Sequence, residues 1–306
     1  MKAITVTDRA AGPAGMTIQD RPYPHAAEND VIVRVHAAGF TPGELEWPAT
    51  WTDRAGRDRT PTIPGHEVAG VVTELGYGTT GLTIGQRVFG VADWARDGTL
   101  AEYVAVETRN LAPLPADVDF VTAASLPISG LTAWQGLFQH AALLPGQTVL
   151  VAGAAGGVGT LVSQLARDTG AFVIGAGRQA HRERIAEAGA HRFLDLEHDS
   201  IEEGPEVDLL FDALGGDVAT RLTARVRRGG TVISIANLPE IARTDINAHF
   251  FVVETNRSQL MELVERVRSG RIRTFVGDVV SLDQAPAAFS SKTSNLGKIV
   301  VQVDAD

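Results

Sequence analysis

The sequence predicts an α/β protein in which a small β-barrel is combined with a doubly wound parallel sheet. Short strand patterns punctuated by Gly and Pro occupy residues 1–118, which is typical of a small barrel or sandwich. Strand and helix patterns then alternate, which indicates a parallel sheet with helices on both faces. The length of 306 residues suits two domains. We predict one domain over 1–118 and 254–306, and a second over 119–253.

The barrel prediction depends on evenly spaced strand patterns. The clearest cover 31–37, 68–76, 86–91 and 101–106. A helical pattern then runs over 120–142 and is interrupted at Pro127.

The parallel-sheet prediction depends on the middle of the chain. Strands are predicted over 147–152, 171–176, 191–195, 207–211, 229–236 and 247–254. Helices are predicted over 157–169, 179–188, 216–226 and 258–269. The tail, 275–303, returns to short strands and turns, and we expect it to rejoin the first domain.

Composition excludes several classes of function. A net charge of −10 argues against a general nucleic-acid binder. The sequence contains no apolar run of the roughly 18 residues that a membrane helix needs, and its first residues alternate like a strand. We therefore expect a cytoplasmic protein. The chain has no cysteine, which removes disulfides, thiol chemistry and every thiolate zinc site.

A glycine-rich turn at 153–159 lies between an apolar strand and a helix. Glycines there let the backbone approach a phosphate closely, and the helix N-terminus offers unpaired N–H groups and partial positive charge. The ligand predicted from this order of elements is a dinucleotide pyrophosphate. The alternative is a tight strand-to-helix turn without a ligand.

The end of the next strand indicates which dinucleotide binds. An NAD site places Asp or Glu there, whereas this chain has no acidic residue between Asp168 and Glu183. It has Arg178, His181 and Arg182 instead, and a guanidinium can bind a 2′-phosphate bidentately. We predict NADP(H), held first by Arg178 and second by Arg182. Alternatively, these are solvated residues that open a helix.

Together these segments resemble the medium-chain dehydrogenases/reductases, in particular their zinc-free quinone oxidoreductases. The similarity covers almost the whole chain in the right order, through 63–72, 126–137, 144–151, 211–216 and 297–300. The resemblance implies a GroES-like catalytic domain built from both chain ends and a central Rossmann domain. It also implies NADPH-dependent reduction of a quinone or another conjugated carbonyl, and a homodimer that pairs strands near 247–253.

The resemblance also separates the chain from zinc alcohol dehydrogenases. In those enzymes a cysteine after the second barrel strand and the histidine of a Gly-His-Glu segment hold catalytic zinc. Here 38–44 contains no cysteine, although His66 and Glu67 remain. We therefore expect no metal, with His66 bonded within a loop.

The resemblance implies cofactor contacts position by position. Thr132 matches a position near the nicotinamide or its phosphate, and the pyrophosphate turn matches Gly156, Gly157 and Val158. The other matching positions are Ala213, Leu214, Ile235, Ala236, Phe250, Phe251, Val252, Asn295, Gly297 and Lys298. Phe250 and Phe251 fit a core or dimer-edge strand equally well.

The predicted substrate cleft contains Phe40, Thr41, Glu44, Trp47 and Trp51. Charge develops on the acceptor oxygen during hydride transfer, and Thr41 is the predicted hydrogen-bond donor to it. Glu44, His66 and Tyr103 are remoter candidates. Trp47 and Trp51 would stack on a flat acceptor, or simply pack their proline-flanked loop.

Two other functions compete with the quinone or enone reductase. One is an enoyl reductase acting on a polyketide-like or enoyl thioester intermediate. The other is a catalytically silent NADPH-binding sensor or structural protein, for which the unusual segment 40–43 leaves room.

Overall fold

The computed structural model describes residues 1–241, 243–291 and 297–303, with only the backbone at Pro42. Contacts divide the chain into a first unit, Met1–Ile128 with Thr255–Arg268 and Phe275–Asp306, and a second unit, Ser129–Glu254 with Ser269–Thr274. Relative to the predicted domains, the first unit extends ten residues beyond 118, and 269–274 belongs with the middle of the chain.

The chain up to Ile128 is mainly β-structure. Its strands are β1 (Lys2–Thr5), β2 (Thr17–Asp20), β3 (Asp30–Gly39), β4 (Glu67–Leu75), β5 (Arg87–Val91), β6 (Tyr103–Glu107) and β7 (Leu111–Pro113). Its helices are α1 (Pro48–Trp51), α2 (Phe120–Ser125) and α3, which runs across the boundary (Pro127–Trp134). The helical pattern predicted over 120–142 breaks before Pro127, as expected, and continues as a π-helical segment over Gln135–His140.

Strands and helices alternate in the second unit. They are β8 (Thr148–Ala152), α4 (Gly157–Asp168), β9 (Phe172–Gly177), α5 (Arg182–Glu187), β10 (Arg192–Asp195), β11 (Val207–Asp212), α6 (Gly216–Leu222), β12 (Val226–Ser234) and β13 (Asn247–Phe250). The predicted strand 247–254 ends early, at Phe250. Beyond it, the backbone of Glu254 bonds to a side chain, that of Gln135, rather than to a strand.

The tail supplies α7 (Arg257–Arg268), β14 (Val276–Ser281), α8 (Ala285–Ser290) and β15 (Lys298–Gln302). We predicted only strands and turns over 275–303, and this prediction was wrong for the residues of α8. A helix of six residues is too short to show a 3.6-residue period in the sequence. Its Phe289 ring packs 4.3 Å from that of Phe40, so tertiary contact supports the helix.

The sheet of the second unit has six parallel strands in the order β10-β9-β8-β11-β12-β13. Numbered from β8, this order is 3-2-1-4-5-6, the doubly wound arrangement. The strand order reverses between β8 and β11. Loops at the carboxyl ends of these two strands therefore border the crevice where such sheets bind ligands. Buried apolar side chains from five of these strands, β8 to β12, and from α6 form a hydrophobic core cluster.

The first unit contains a mostly antiparallel sheet and a two-stranded sheet. Strands follow the order β14-β15-β3-β4-β5-β7, with β6 also paired to β3, and β1 pairs with β2. Among the described strands of this unit, only β14 and β15 run parallel to each other. β15 pairs with β3, so the tail rejoins the first unit as predicted. In the described residues, no helix is both long and apolar enough to cross a membrane.

The turn from β8 to α4 depends on two glycines. Gly153 has φ of +81°, a conformation that residues with a Cβ rarely adopt. A Cβ at Gly159 would overlap the carbonyl oxygen of Gly153 and lie 2.8 Å from Cα of Ala154. The first turn of the helix can therefore lie this close to the end of β8 only because residue 159 has no side chain.

Gly159→Ala should lower the stability of the protein. We expect a loss of about 1–3 kcal/mol in unfolding free energy, the usual cost of overpacking, because backbone atoms must move apart. Thermal unfolding without cofactor measures it. The matched control is Gly156→Ser, whose Cβ would lie 3.4 Å from the nearest atom at an ordinary negative φ and whose side chain is a favoured helix N-cap. Equal melting temperatures for the two variants would contradict this account.

Candidate functional site

The N-terminus of α4 is built to receive an anion. Gly156 is its N-cap and no side chain caps the helix, so N–H groups of the first turn have no side-chain acceptor. Gly156 is exposed, while Gly157 and Val158 are half-buried. A Cβ at Gly157 would lie 3.3 Å from Oγ of Ser129, so the space beside the helix is narrow. The chemistry fits the pyrophosphate of a dinucleotide.

Two arginines follow the carboxyl end of β9. Arg178 is exposed, and its Nη2 lies 3.2 Å from Nε2 of His181. The guanidinium of Arg182 lies over the Phe193 ring at 5.4 Å. Partial burial, and then the charge of Arg178, lower the pKa of His181. Among the described residues no carboxylate pairs with either arginine, so both guanidinium groups are available to an anion.

Asp212, which the sequence reasoning missed, organises the loops after β11 and β12. Its buried Oδ1 accepts from the N–H groups of Leu214 and Gly215, each at 2.9 Å. Its Oδ2 lies 2.8 Å from the hydroxyl of Ser234 at the end of β12. The predicted cofactor residues Ala213, Leu214, Ile235 and Ala236 therefore belong to two loops held by one carboxylate. The sequence did contain a signal for this role, because Asp212 is an acidic residue at the end of an apolar strand.

The segment after β13 is held by Gln135, a second residue that sequence reasoning missed. The side-chain amide of Gln135 donates to the carbonyl of Glu254 at 2.7 Å and accepts from its N–H at 3.0 Å. Phe251 packs against His140 at 4.4 Å, whereas Phe250 and Val252 are 46% and 66% exposed. Thr132 is buried in α3. The cofactor contacts of Thr132, Phe250, Phe251 and Val252 stay predictions.

In the first unit, a buried carboxyl connects two loops of the predicted substrate cleft. Oε1 of Glu44 accepts from the N–H of Thr41 at 2.7 Å, and Oε2 accepts from the N–H of Gly65 at 3.0 Å. Nε2 of His66 lies 3.8 Å from Oε2 of Glu44. Glu44 is fully buried, whereas Thr41 is half-buried and so remains accessible.

Burial shifts both titratable groups of this pair towards their neutral forms. Desolvation raises the pKa of Glu44 to about 8, although the N–H groups of Thr41 and Gly65 oppose the shift. Desolvation, followed by the positive charge of Arg59, lowers the pKa of His66 to about 3. At neutral pH the pair therefore consists of a largely protonated carboxyl and an uncharged imidazole.

Glu67 and Lys298 form a buried ion pair in the same unit. Lys298 Nζ contacts Glu67 Oε2, and Glu67 Oε1 accepts from the N–H of Ile128 at 2.8 Å. The pair joins the first residue of β4 to the first residue of β15. Removing one partner of such a pair leaves an uncompensated buried charge, so the loss of either residue would strongly destabilise the fold. A contact of Lys298 or Gly297 with the cofactor stays a prediction, and Asn295 lies outside the described residues.

Two predicted cleft residues have other partners. Phe40 is 2% exposed and packs against Phe289 in the core. The indole N–H of Trp51 donates to the carbonyl of Leu45 at 2.8 Å, and the ring packs against the core of the unit. Among the remoter candidates, Tyr103 packs against Tyr23 at 4.9 Å. A role for Phe40 or Trp51 in the cleft stays a prediction.

Trp47 belongs to an aromatic cluster that also contains His66 and Trp94. Ring centroids of Trp47 and Trp94 are 5.2 Å apart, and those of His66 and Trp94 are 4.9 Å apart. Sequence reasoning missed Trp94, which lies in the loop after β5, more than forty residues beyond Trp47. Only the fold brings the two indoles together.

The described residues offer no thiolate, and around His66 they form no group of three metal ligands. Nδ1 of His66 is buried without a hydrogen-bond partner. The one such group found in the described part of the chain is Asp195, Glu197 and His198 after β10, and the last two are exposed. Neither ring nitrogen of His66 makes the hydrogen bond that we expected within its loop. Glu44 and Glu67 are committed to backbone N–H groups and to Lys298, which leaves too few free ligands for a tetrahedral metal site there.

Comparison with known proteins identifies the family. Residues 27–116 match the family model described as "Alcohol dehydrogenase GroES-like domain", and 188–301 match "Zinc-binding dehydrogenase". The chain is 32% identical to the "2-methylene-furan-3-one reductase" of Solanum lycopersicum, over 98% of this chain and 79% of that protein. It is also 32% identical to the "NADPH-dependent alkenal/one oxidoreductase, chloroplastic" of Arabidopsis thaliana, over 91% and 73% respectively.

A solved structure shows the same fold. The quinone oxidoreductase from Coxiella burnetii superposes with a TM-score of 0.89 and 26% identity, covering 99% of each chain. The chain belongs to the medium-chain dehydrogenase/reductase superfamily, in its quinone oxidoreductase-like branch. It is an oxidoreductase with a GroES-like first unit and a Rossmann second unit. The glycine turn fits the nicotinamide cofactor of this superfamily.

The shifted pKa of Glu44 predicts how stability depends on pH. Because the folded pKa lies above the unfolded 4.5, the contribution of Glu44 is complete below pH 4.5 and is lost as pH rises through about 8. The lowered pKa of His66 acts in the opposite sense, since its contribution is lost as pH falls from 6.5 towards about 3. Of this pair, only Glu44 therefore changes the unfolding free energy between pH 6.5 and 8.

In that window, the unfolding free energy of the wild type should fall with rising pH by up to about 1.4 kcal/mol per pH unit more than that of Glu44→Gln. Urea unfolding at several pH values measures the two slopes. The control is Glu46→Gln, two residues away, whose side chain is 74% exposed and which should keep the wild-type slope. Identical slopes for Glu44→Gln and wild type would show that Glu44 does not titrate there.

Proposed function

We propose that this enzyme uses NADPH to reduce a quinone or another α,β-unsaturated carbonyl, without zinc. The observation that carries the proposal is a helix N-terminus without a side-chain cap at a glycine turn, followed beyond the next strand by two arginines that pair with no carboxylate among the described residues. A 2′-phosphate needs such cations, whereas a carboxylate there would favour NAD. Support for the acceptor comes from the names of the two plant relatives and of the Coxiella protein, which describe reductases of conjugated carbonyls and quinones.

The residues have separate tasks in this proposal. When bound, the reduced nicotinamide supplies the hydride. The N-terminus of α4 binds the pyrophosphate, and Arg178 and Arg182 bind the 2′-phosphate. Hydride addition to a conjugated carbonyl places negative charge on the acceptor oxygen. The hydroxyl of Thr41 would donate a hydrogen bond to that oxygen and so lower the barrier.

Zinc is not needed for this chemistry. A hydrogen-bond donor can stabilise the developing oxyanion where other branches use a Lewis acid. The chain has no cysteine to hold zinc through thiolates, and Glu44 is bonded to the backbone of both neighbouring loops.

A homodimer and a cytoplasmic location stay predictions. Support for the homodimer comes from β13, which is the last strand of the parallel sheet and has four exposed residues. An exposed edge strand offers unpaired backbone groups to a second chain.

The direct test of the proposed activity is NADPH oxidation against quinones, enones and enoyl thioesters. We expect turnover with a quinone or enone, and a kcat lower by about a hundredfold to a thousandfold in Thr41→Val, the order seen when one oxyanion donor is lost. Thr41→Ser, which keeps the hydroxyl, is the matched control and should retain most activity.

Two outcomes would contradict this proposal. Turnover of enoyl thioesters alone would favour the enoyl reductase. Tight NADPH binding without oxidation by any acceptor would favour the sensor. An unchanged kcat in Thr41→Val for every active substrate would remove Thr41 from the mechanism.

The choice of cofactor is tested by binding. Wild type should bind NADPH more tightly than NADH, and Arg178→Ala should weaken NADPH binding by about ten- to a hundredfold, because a charged hydrogen bond contributes about 1.5–3 kcal/mol. NADH binding should not change. Quenching or enhancement of cofactor fluorescence gives both dissociation constants.

The matched control for Arg178→Ala is Arg228→Ala. Arg228 is exposed in the first half of β12, towards the amino ends of the parallel strands, whereas Arg178 follows the carboxyl end of β9. Arg228→Ala should leave both affinities unchanged. Equal affinity of the wild type for NADPH and NADH would overturn the assignment of NADP(H).

A further inference from the structure

A partly open aromatic surface lies on the first unit. It is formed by Trp47, His66 and Trp94, which we call the tryptophan cluster. The two indoles meet edge to face, with an interplanar angle of 87°. Both are half-buried, whereas His66 is only 2% exposed. The imidazole therefore forms the base, and the indoles form two walls that remain accessible to a ligand.

The backbone holds both walls on the same short segment. The N–H of Trp47 donates to the carbonyl of Glu44 at 3.1 Å, and the carboxyl of Glu44 is bonded to the N–H of Gly65. On the other side, the N–H of Ala92 donates to the carbonyl of His66 at 2.7 Å, two residues before Trp94. Residues 65–66 thus anchor both loops, so the walls are set before a ligand arrives.

The charges around the cluster are paired away from its base. Asp93 pairs with Arg54, and Arg59 lies 3.6 Å from Asp97. The buried imidazole is neutral, because desolvation and the charge of Arg59 lower the pKa of His66. Arg59 lowers the pKa of His66 more than Asp93 raises it, so the nearby charges do not restore a cationic imidazole at the base of the cluster.

An uncharged, flat and electron-poor ring suits this surface. Indole faces are electron-rich, and aromatic pairs gain about 0.5–1.5 kcal/mol beyond the area that they bury. An open-chain alkenal has the same conjugated carbonyl but little planar area to place against two indoles. The cluster would therefore discriminate between ring-bearing and open-chain acceptors.

We propose that Trp94, with Trp47, forms the surface on which the acceptor stacks, and that it makes the enzyme selective for acceptors whose conjugated carbonyl lies in a ring. This inference rests on the proposed reduction of conjugated carbonyls and specifies the acceptor class. Trp94 is a specificity-determining residue in this view, and Trp51 is not, because its indole N–H and ring are engaged in the core.

The test compares two acceptors across four proteins. The acceptors are 1,4-naphthoquinone and trans-2-hexenal, and the proteins are wild type, Trp94→Leu, Trp94→Phe and Tyr77→Leu. Tyr77 is 87% exposed in the same unit and serves as the control for loss of an aromatic side chain. NADPH oxidation, corrected for the reaction without enzyme, gives kcat/KM for each pair.

We expect Trp94→Leu to lower kcat/KM for naphthoquinone by about five- to tenfold, the factor expected from one aromatic contact, and to change that for hexenal less than twofold. Trp94→Phe should restore most of the loss, and Tyr77→Leu should change neither value. Equal losses for both acceptors in Trp94→Leu, or no loss for naphthoquinone, would overturn the inference. Thermal unfolding of each variant excludes a folding defect.

Binding separates this inference from the proposed function. Calorimetry with naphthoquinone should give an affinity that Trp94→Leu lowers and Trp94→Phe largely restores, whether or not turnover occurs. If the wild type oxidised no NADPH but bound naphthoquinone through Trp94, the proposed function would fail and the stacking surface would stand. If turnover occurred and Trp94→Leu changed neither kcat/KM nor affinity, the stacking surface would fail alone.

Discussion

The close approach of α4 to the end of β8 is the constraint on which the second unit depends. Only a residue without a side chain at Gly159 lets the helix begin beside the carbonyl of Gly153. This contact places the helix N-terminus at the point where the strand order reverses, between β8 and β11. The neighbouring loops are held in turn by Asp212, so the loops that follow β8, β11 and β12 lie together at the carboxyl ends of the strands.

The first unit is organised by buried carboxyl groups rather than by a metal ion coordinated through thiolates. Glu44 bonds the backbone of two loops, and Glu67 joins β4 to β15 through Lys298 and also accepts from the backbone at Ile128. Each carboxyl oxygen has an N–H or ammonium partner, which is how a protein tolerates acidic groups that are withdrawn from water. The same arrangement leaves Thr41 accessible and positions Trp47 beside His66.

These two organising principles support a division of labour in the proposed reaction. The second unit carries groups suited to a phosphorylated dinucleotide, and in our proposal its arginines select NADP(H). The first unit carries a hydroxyl and an aromatic surface, and in our proposal these select the acceptor. Little acid–base chemistry is required, because hydride transfer to a conjugated carbonyl needs position, exclusion of water and polarity more than a strong acid.

Much of the fold was determined by the sequence alone. Local periodicity predicted the parallel sheet, because this signal lies within a short stretch of chain. The cofactor residues indicated by the glycine turn and by the basic residues after β9 stay predictions. The absence of cysteine likewise needed no structure. Only the tertiary structure decided the partners of Glu67 and Trp94 and the bond of Asp212 to Ser234, since these contacts join residues that are far apart in the chain. Whether a tryptophan faces solvent, as Trp94 partly does, or gives its N–H to the core, as Trp51 does, depends on packing that no local pattern encodes.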